Sequence, residues 1–326
     1  MRNTSASGLL PGDNGPKWFQ SPVSLYKGNL SEIFMHIPEF ERRSFGLTQE
    51  NGGYSRLNRR LDMIVRKPTD FDPNHVPIGV VSKGYTLVPH TQVIGVVQKA
   101  LGSLGLGPDN VQANLEITEY GERMALSIFL PEQYRYDPGD GHPMALRLEC
   151  HNSVDGSTRF KAFMGWYRFV CSNGLIIGVT RFDVRRRHVG DMALFDVGKA
   201  LAGGIEASEK EKRNFGKWHQ RKVNFDQIRT WADSDLRKGW GFKAAARAWN
   251  IARTGFDANI VGSYNKSTPT TIEIENASHV PGSPPRAANL YDVSQILAWL
   301  ARDRRDLEEQ LQWREQISGL LKPLMN

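Results

Sequence analysis

The chain has 326 residues, 40% of them apolar, and a formal net charge of +7. That much apolar material builds one large domain or two modest ones and excludes a globally disordered chain. No apolar run of about 18 residues occurs, and the opening MRNTSASGLLPGDNG has no apolar core, so neither a membrane span nor a secretory leader is expected and a cytoplasmic location is.

The charge is unevenly placed. Residues 181–253 hold 17 Lys/Arg against 9 Asp/Glu, whereas the rest of the chain holds 25 against 26. A basic segment on a balanced chain points to a polyanionic partner, nucleic acid first, although solvated basic helices produce the same count. Cys150 and Cys171 show no metal or redox spacing and are expected as reduced thiols.

Residues 1–60, rich in Gly, Asn, Ser and Arg, read as an N-terminal arm that becomes ordered by lying on something else. From Leu61, LDMIVRK and VPIGVVSKGYTLVP predict short strands broken by Pro68, Pro73, Pro77 and Gly84. TQVIGVVQKALGSLG then places Val93, Ile94, Val97 and Leu101 at helical spacing, with Thr91 as the expected N-cap and Gly102 near the stop. VQANLEIT and RMALSIFL alternate with period two around Tyr120-Gly121-Glu122 and predict a hairpin. A second pair, MALRLECHN and the strand from Arg159, is joined by a turn whose Asp155-Gly156 supplies the corner. Four antiparallel strands in sequence order follow.

From Asp191 the alternation gives way to a helix with Leu194, Val197, Leu201 and Ile205 on one stripe, expected to leave the core near Glu206. A helical region over 225–252 and a Pro/Gly/Ser-rich loop over 262–288 come next. Asp292-Val-Ser-Gln295 resembles a capping box opening one long helix, with Val293, Ile296, Leu300, Leu307, Leu311, Ile317 and Leu321 on its apolar side. The expected fold is α+β: an antiparallel sheet of about four or more strands, helices packed on one face, and a long C-terminal helix. The divisions are an arm (1–60), a core domain (61–260), a loop (261–288) and a C-terminal helix packing on the core (289–326).

The stretch HNSVDGSTRFKAFMGWYRFVCSNGLIIG carries the densest chemistry. If Arg159 to Cys171 is one strand, Phe160, Ala162, Met164, Trp166, Arg168 and Val170 share a face, while Arg159, Lys161, Phe163, Tyr167 and Phe169 share the other. The second face mixes cations with rings, which suits a single-strand platform where rings stack on bases and Lys/Arg take phosphates. A sheet face covered by a helix explains the same pattern. Arg181, Arg185, Arg186 and Arg187 form a basic corner suited to phosphate, or a solvated loop. Lys210, Lys212, Arg213, Lys217, Arg221 and Lys222, interleaved with Phe215, Trp218 and His219, either line a groove or dock on a neighbouring subunit.

Catalytic constellations are absent. His142, Cys150 and His151 lack ligand spacing, Asp155 and Asp191 suit a turn and a cap, and Glu273-Ile-Glu275 has no nearby acid to share a magnesium ion. No phosphate-binding glycine loop, nucleophile elbow or dinucleotide fingerprint is present. No metal or cofactor is expected.

PIGVVSKGYTLVPHTQVI, then CHNSVDGSTRFKAFMGWYRFVCSNGL, then NLYDVSQILAWLA resemble, in that order, the phage- and plasmid-borne domain-of-unknown-function family 932. The most specific match is the Asn-Ser-x-Asp-Gly-Ser turn feeding a strand that ends near the family's Arg-x-x-Cys-x-Asn core, here Arg168, Cys171 and Asn173. Val154 stands where the family's turn has His. The resemblance, over about 60–305, implies a mobile-element or phage setting. In architecture alone the chain is also similar to the single-strand annealing proteins of phage recombination, which form rings around single-stranded DNA.

The expected function is therefore that of a non-enzymatic mobile-element protein binding single-stranded DNA, annealing or protecting it in recombination, as a homo-oligomer and possible ring. Arg159, Lys161, Arg168, Arg181, Arg185, Arg186, Arg187, Lys217, Arg221 and Lys222 would contact phosphate, with Phe163 and Tyr167 stacking. A protein–protein interaction factor acting on a host system, by anti-defence or recruitment, is the alternative.

Overall fold

The period-two alternation that predicts strands between residues 111 and 168 is realised in one antiparallel sheet. The structure, a computed structural model, describes residues 23–47, 57–70, 72–158, 160–168, 175–180, 196–261, 273–304 and 307–325. Its strands are β1 (Val23–Asn29), β2 (Phe40–Ser44), β3 (Leu61–Arg66), β4 (Val76–Ser82), β5 (Gln112–Thr118), β6 (Arg123–Phe129), β7 (Arg135–Tyr136), β8 (Met144–Ser153), β9 (Lys161–Arg168), β10 (Leu175–Thr180), β11 (Phe256–Val261) and β12 (Glu273–His279). Its helices are α1 (Leu30–Phe34), α2 (His90–Ser103), α3 (Asp196–Gln220), α4 (Phe225–Trp231), α5 (Arg237–Trp240), α6 (Phe242–Thr254), α7 (Leu290–Arg302) and α8 (Leu307–Met325). The fold is α+β.

The main sheet runs β1-β5-β6-β8-β9-β10, with β7 pairing the start of β8. Register sets two faces. Leu115, Leu126, Cys150 and Ala162 lie across from one another, as do Ala113, Ile128, Leu148 and Met164, and all eight are buried in the main core. The opposite face carries the rows Asn114, Ser127, Glu149, Phe163 and Glu116, Ala125, His151, Lys161. Side chains from α1, α2 and α7 fill the core face. Within the expected arm, β1 adds an edge strand to β5, and β2 pairs with β3.

α3 packs on the core face too. A Cβ on Gly204 would come 3.1 Å from Met164 Sδ, and Lys212 Nζ sits 5.3 Å from the Trp166 ring centre. The expected departure of this helix from the core at Glu206 is corrected: Phe215 is 1% and Trp218 6% exposed. Phe215 is held among Tyr136, Trp218 and Tyr291, with ring centres 6.2, 5.7 and 6.0 Å away. Burying two large rings outweighs the solvation of the charges around them, which point outward from the same helix.

The β2-β3-β4 sheet closes a second, smaller core of Phe40, Ile64, Val81 and Tyr85, and the residue that plugs it is Val154, fully buried. The turn carrying Val154 is built as expected. Asp155 Oδ1 accepts from Ser157 N at 2.9 Å, and Gly156 has φ +77°. Ser153 Oγ donates to Thr158 O at 2.9 Å, and a Cβ on Gly79 would come 2.9 Å from Asp155 Cβ, so the small sheet packs tightly on the turn. Asn152, fully buried, donates to Val88 O at 2.9 Å and lies 2.9 Å from His90 Nδ1. The motif turn is a joint between the two sheets.

Five local expectations are corrected. α2 is entered through Pro89, with no side-chain cap, and Thr91 lies inside the helix. The capping box of α7 begins three residues earlier than expected, Asn289 Oδ1 accepting from Asp292 N at 2.9 Å, because Asn289 has the extended backbone a cap needs. The C-terminal helix is two, α7 and α8. The expected loop over 262–288 contains β12, which pairs with β11, while residues 262–272 lie outside the described residues. The helical region from Phe225 is also interrupted, by a π-type turn at Ala232–Leu236.

Because Phe215 is core, Phe215→Ala is expected to cost about 3–5 kcal/mol in denaturant unfolding. A loss under about 0.5 kcal/mol would mean an exposed ring.

Candidate nucleic-acid interface

β8 and β9 lie side by side, so the polar positions of MALRLECHNS and KAFMGWYR converge on the face away from the main core. Arg147 stands over Tyr167, 4.6 Å from guanidinium carbon to ring centre, and 5.9 Å from Phe129, whose ring meets Tyr167 edge-on at 5.2 Å. Glu149 pairs with Arg147 and lies 3.4 Å from His151 Nε2. His151 stacks on Phe163, ring centres 5.5 Å apart and planes 9° from parallel.

These contacts consume the predicted platform. Phe163 is 4% exposed and its face is occupied by His151, so it is corrected from a base-stacking ring to a packing ring. Tyr167 is half-buried under Arg147. Arg168 is corrected as well, since alternation sends it to the core face at 1% exposure. There it pairs with Asp140 and donates from Nη1 to Gln295 Oε1 at 3.2 Å, tying β9 to α7. Lys161 is half-buried at the end of β9, opposite His151.

The basic helix lies elsewhere. α3 covers the core face, so Lys217, Arg221 and Lys222 are separated from Phe163 and Tyr167 by the thickness of the sheet. The single trough expected from the sequence does not form between them. Lys217 and Lys222 are exposed, while Arg221 donates from Nε to Leu324 O at 3.4 Å, and its carbonyl accepts from Leu290 N at 3.0 Å. Arg159, Arg181, Arg185, Arg186 and Arg187 lie outside the described residues.

What remains on the surface is a ridge along α3. Lys210, Arg213 and Lys217 are exposed at i, i+3 and i+7, one face of a helix, followed by Lys222. Glu209 beside them is engaged by Lys212 at 2.6 Å. The sequence missed the polar triplet Arg147, Glu149, His151, although its i, i+2, i+4 spacing on a strand was the signal. Cys150 between them faces the core, where burial raises its thiol to about 12.

The fold and site define a class: an α+β protein with one helix-covered sheet face, one buried charged and aromatic sheet face, and a cationic helix outside. The chain belongs to the family described as Domain of unknown function (DUF932), whose model matches residues 77–273. That span runs from β4 through the main sheet, except its edge strand β1, and α6 to the first residue of β12. No solved structure matches the chain. Among the described residues, no helix is long and apolar enough to cross a membrane.

Burial, then the nearby Lys161 and Arg147 charges, pushes His151 down from 6.5 to about 3. Between those values the unfolded chain binds a proton that the folded chain refuses, so stability falls as pH is lowered through this window. His151→Gln is expected to flatten the pH dependence of unfolding between pH about 3 and 6.5 by about 1 kcal/mol or more. Superimposable acid limbs for variant and wild type would show that His151 is not held neutral.

Proposed function

We propose that the chain is a non-enzymatic nucleic-acid-binding protein that grips backbone phosphates with the outer face of α3. The observation that carries this reading is the ridge Lys210, Arg213, Lys217 and Lys222, lying within the segment that holds the chain's entire charge excess. At ~1.5 Å per residue the first three cations span about 10 Å of helix, enough to follow a few nucleotides of one strand. The annealing or protective role and the mobile-element setting that the family resemblance implies are carried in the same proposal.

The internal use of Phe163 and Tyr167 changes the expected mode. A cationic ridge without free rings neutralises phosphate but does not stack bases, so single strands and duplex should bind comparably. Phe215 and Trp218 belong to the core, which removes the apolar anchors that a protein-docking helix would need.

Titration of labelled single-stranded and duplex oligonucleotides at low and moderate salt tests this reading. Affinity should fall steeply with salt, and changing Lys210, Arg213 and Lys217 together to Gln should reduce the log–log salt slope by about 2 on single strands and nearly 3 on duplex. Binding that ignores both salt and the triple substitution would refute it, and a strong preference for single strands would restore stacking as a component.

A further inference from the structure

β11 and β12 form a two-stranded sheet of their own, and every residue of β12 except Ala277 is exposed. Two strands alone are marginal in water, so a face left open on such a pair is a place for a partner. Register identifies the open face. Ile260 stands across from Ile274 and Ala258 across from Asn276, whose Oδ1 accepts from Asn250 Nδ2 at 3.0 Å, so this side turns toward α6. The other side carries Val261 across from Glu273 and Asn259 across from Glu275. All four are exposed, Val261 at 47%, and among the described residues neither carboxylate makes an ion pair.

An exposed valine beside two unpaired carboxylates fits a cationic surface with a bare spot beside its charges. The outer face of α3 has that form. Arg213 and Lys217 are exposed there and make no ion pair among the described residues. Gly216, three residues after Arg213 and next to Lys217, leaves the backbone bare, since a Cβ built on it would meet nothing within 4 Å. The spacings agree. Glu273 and Glu275 are about 7 Å apart along a strand, and Arg213 and Lys217 are about 6 Å apart along a helix.

We propose that the face formed by Val261, Glu273 and Glu275 docks on the Arg213, Gly216 and Lys217 surface of a second copy of this chain. The two patches differ, so the contact is heterologous and each copy keeps one free patch for the next. It needs the α3 ridge to be exposed and cationic but needs no nucleic acid, so it holds or fails separately from the phosphate-gripping role.

Sedimentation equilibrium of the full chain, free of nucleic acid, tests the contact from about 10 μM to 1 mM, where a few exposed ion pairs and one apolar seat hold a complex. Average mass should rise with concentration at low salt and return toward the monomer at about 0.5 M sodium chloride. Glu273→Lys with Glu275→Lys, and separately Arg213→Glu with Lys217→Glu, should each weaken association at least about tenfold, because like charges then face each other. All four positions are exposed, so neither pair of changes disturbs the core. Mixing the two variants should restore association to near the wild-type level, since each reversed patch then meets its complement, and a misfolded variant is not rescued in this way. A wild type that stays monomeric throughout, variants that associate undiminished, or a mixture no better than its parts would overturn the contact.

Discussion

Strict alternation along β8 and β9 is the constraint on which the rest of the structure depends. It sends Leu146, Leu148, Cys150, Ala162, Met164 and Trp166 to one side and Arg147, Glu149, His151, Phe163 and Tyr167 to the other. A slip of one residue in either strand would exchange these sets, placing an arginine, a glutamate and a histidine in the main core. The apolar side then dictates where the helices go. α1, α2, α3 and α7 bury their stripes against it, and by doing so they carry the cationic ridge of α3 to the far side of the sheet from the aromatic–charged cluster.

Both sheet faces nevertheless bury charge, and they do so differently. On the core side Arg168 is matched by Asp140 and Gln295, an arrangement that fixes the angle of α7 against β9. Removing one partner of such a buried pair typically costs about 3–5 kcal/mol, although the intact pair contributes little net stability. On the other side Arg147 is shared between a carboxylate and two rings. Polar specificity is thus concentrated along β8 and β9, with Arg168 of β9 reaching Gln295 of α7.

Much of this architecture was legible. The alternation in VQANLEIT, RMALSIFL, MALRLECHN and KAFMGWYR gave the central strands in order, and Asp155-Gly156 gave the turn. What was not legible came from competition between signals. Phe215 and Trp218 sit among lysines and read as exposed, but the core they enter is built by Tyr136 and Tyr291 from distant segments, which no local pattern reveals. β12 was hidden because Pro and Ser dominate its surroundings, although Ile274 pairs across to Ile260. Asp292 was misread as a cap because the residue three before it, Asn289, makes an equally good one. The platform reading failed for a physical reason: rings and cations on one strand face satisfy each other before they reach a ligand.

The plug supplied by Val154 has a consequence for biogenesis. Phe40, Ile64 and Val81 leave the ribosome well ahead of the turn that completes their small core. At ~5–20 residues per second, Val154 follows Val81 by roughly 4–15 s. During that interval the nascent three-stranded layer has an open apolar pit, so its maturation waits on the centre of the larger sheet, and the order of emergence from the tunnel is not the order of consolidation.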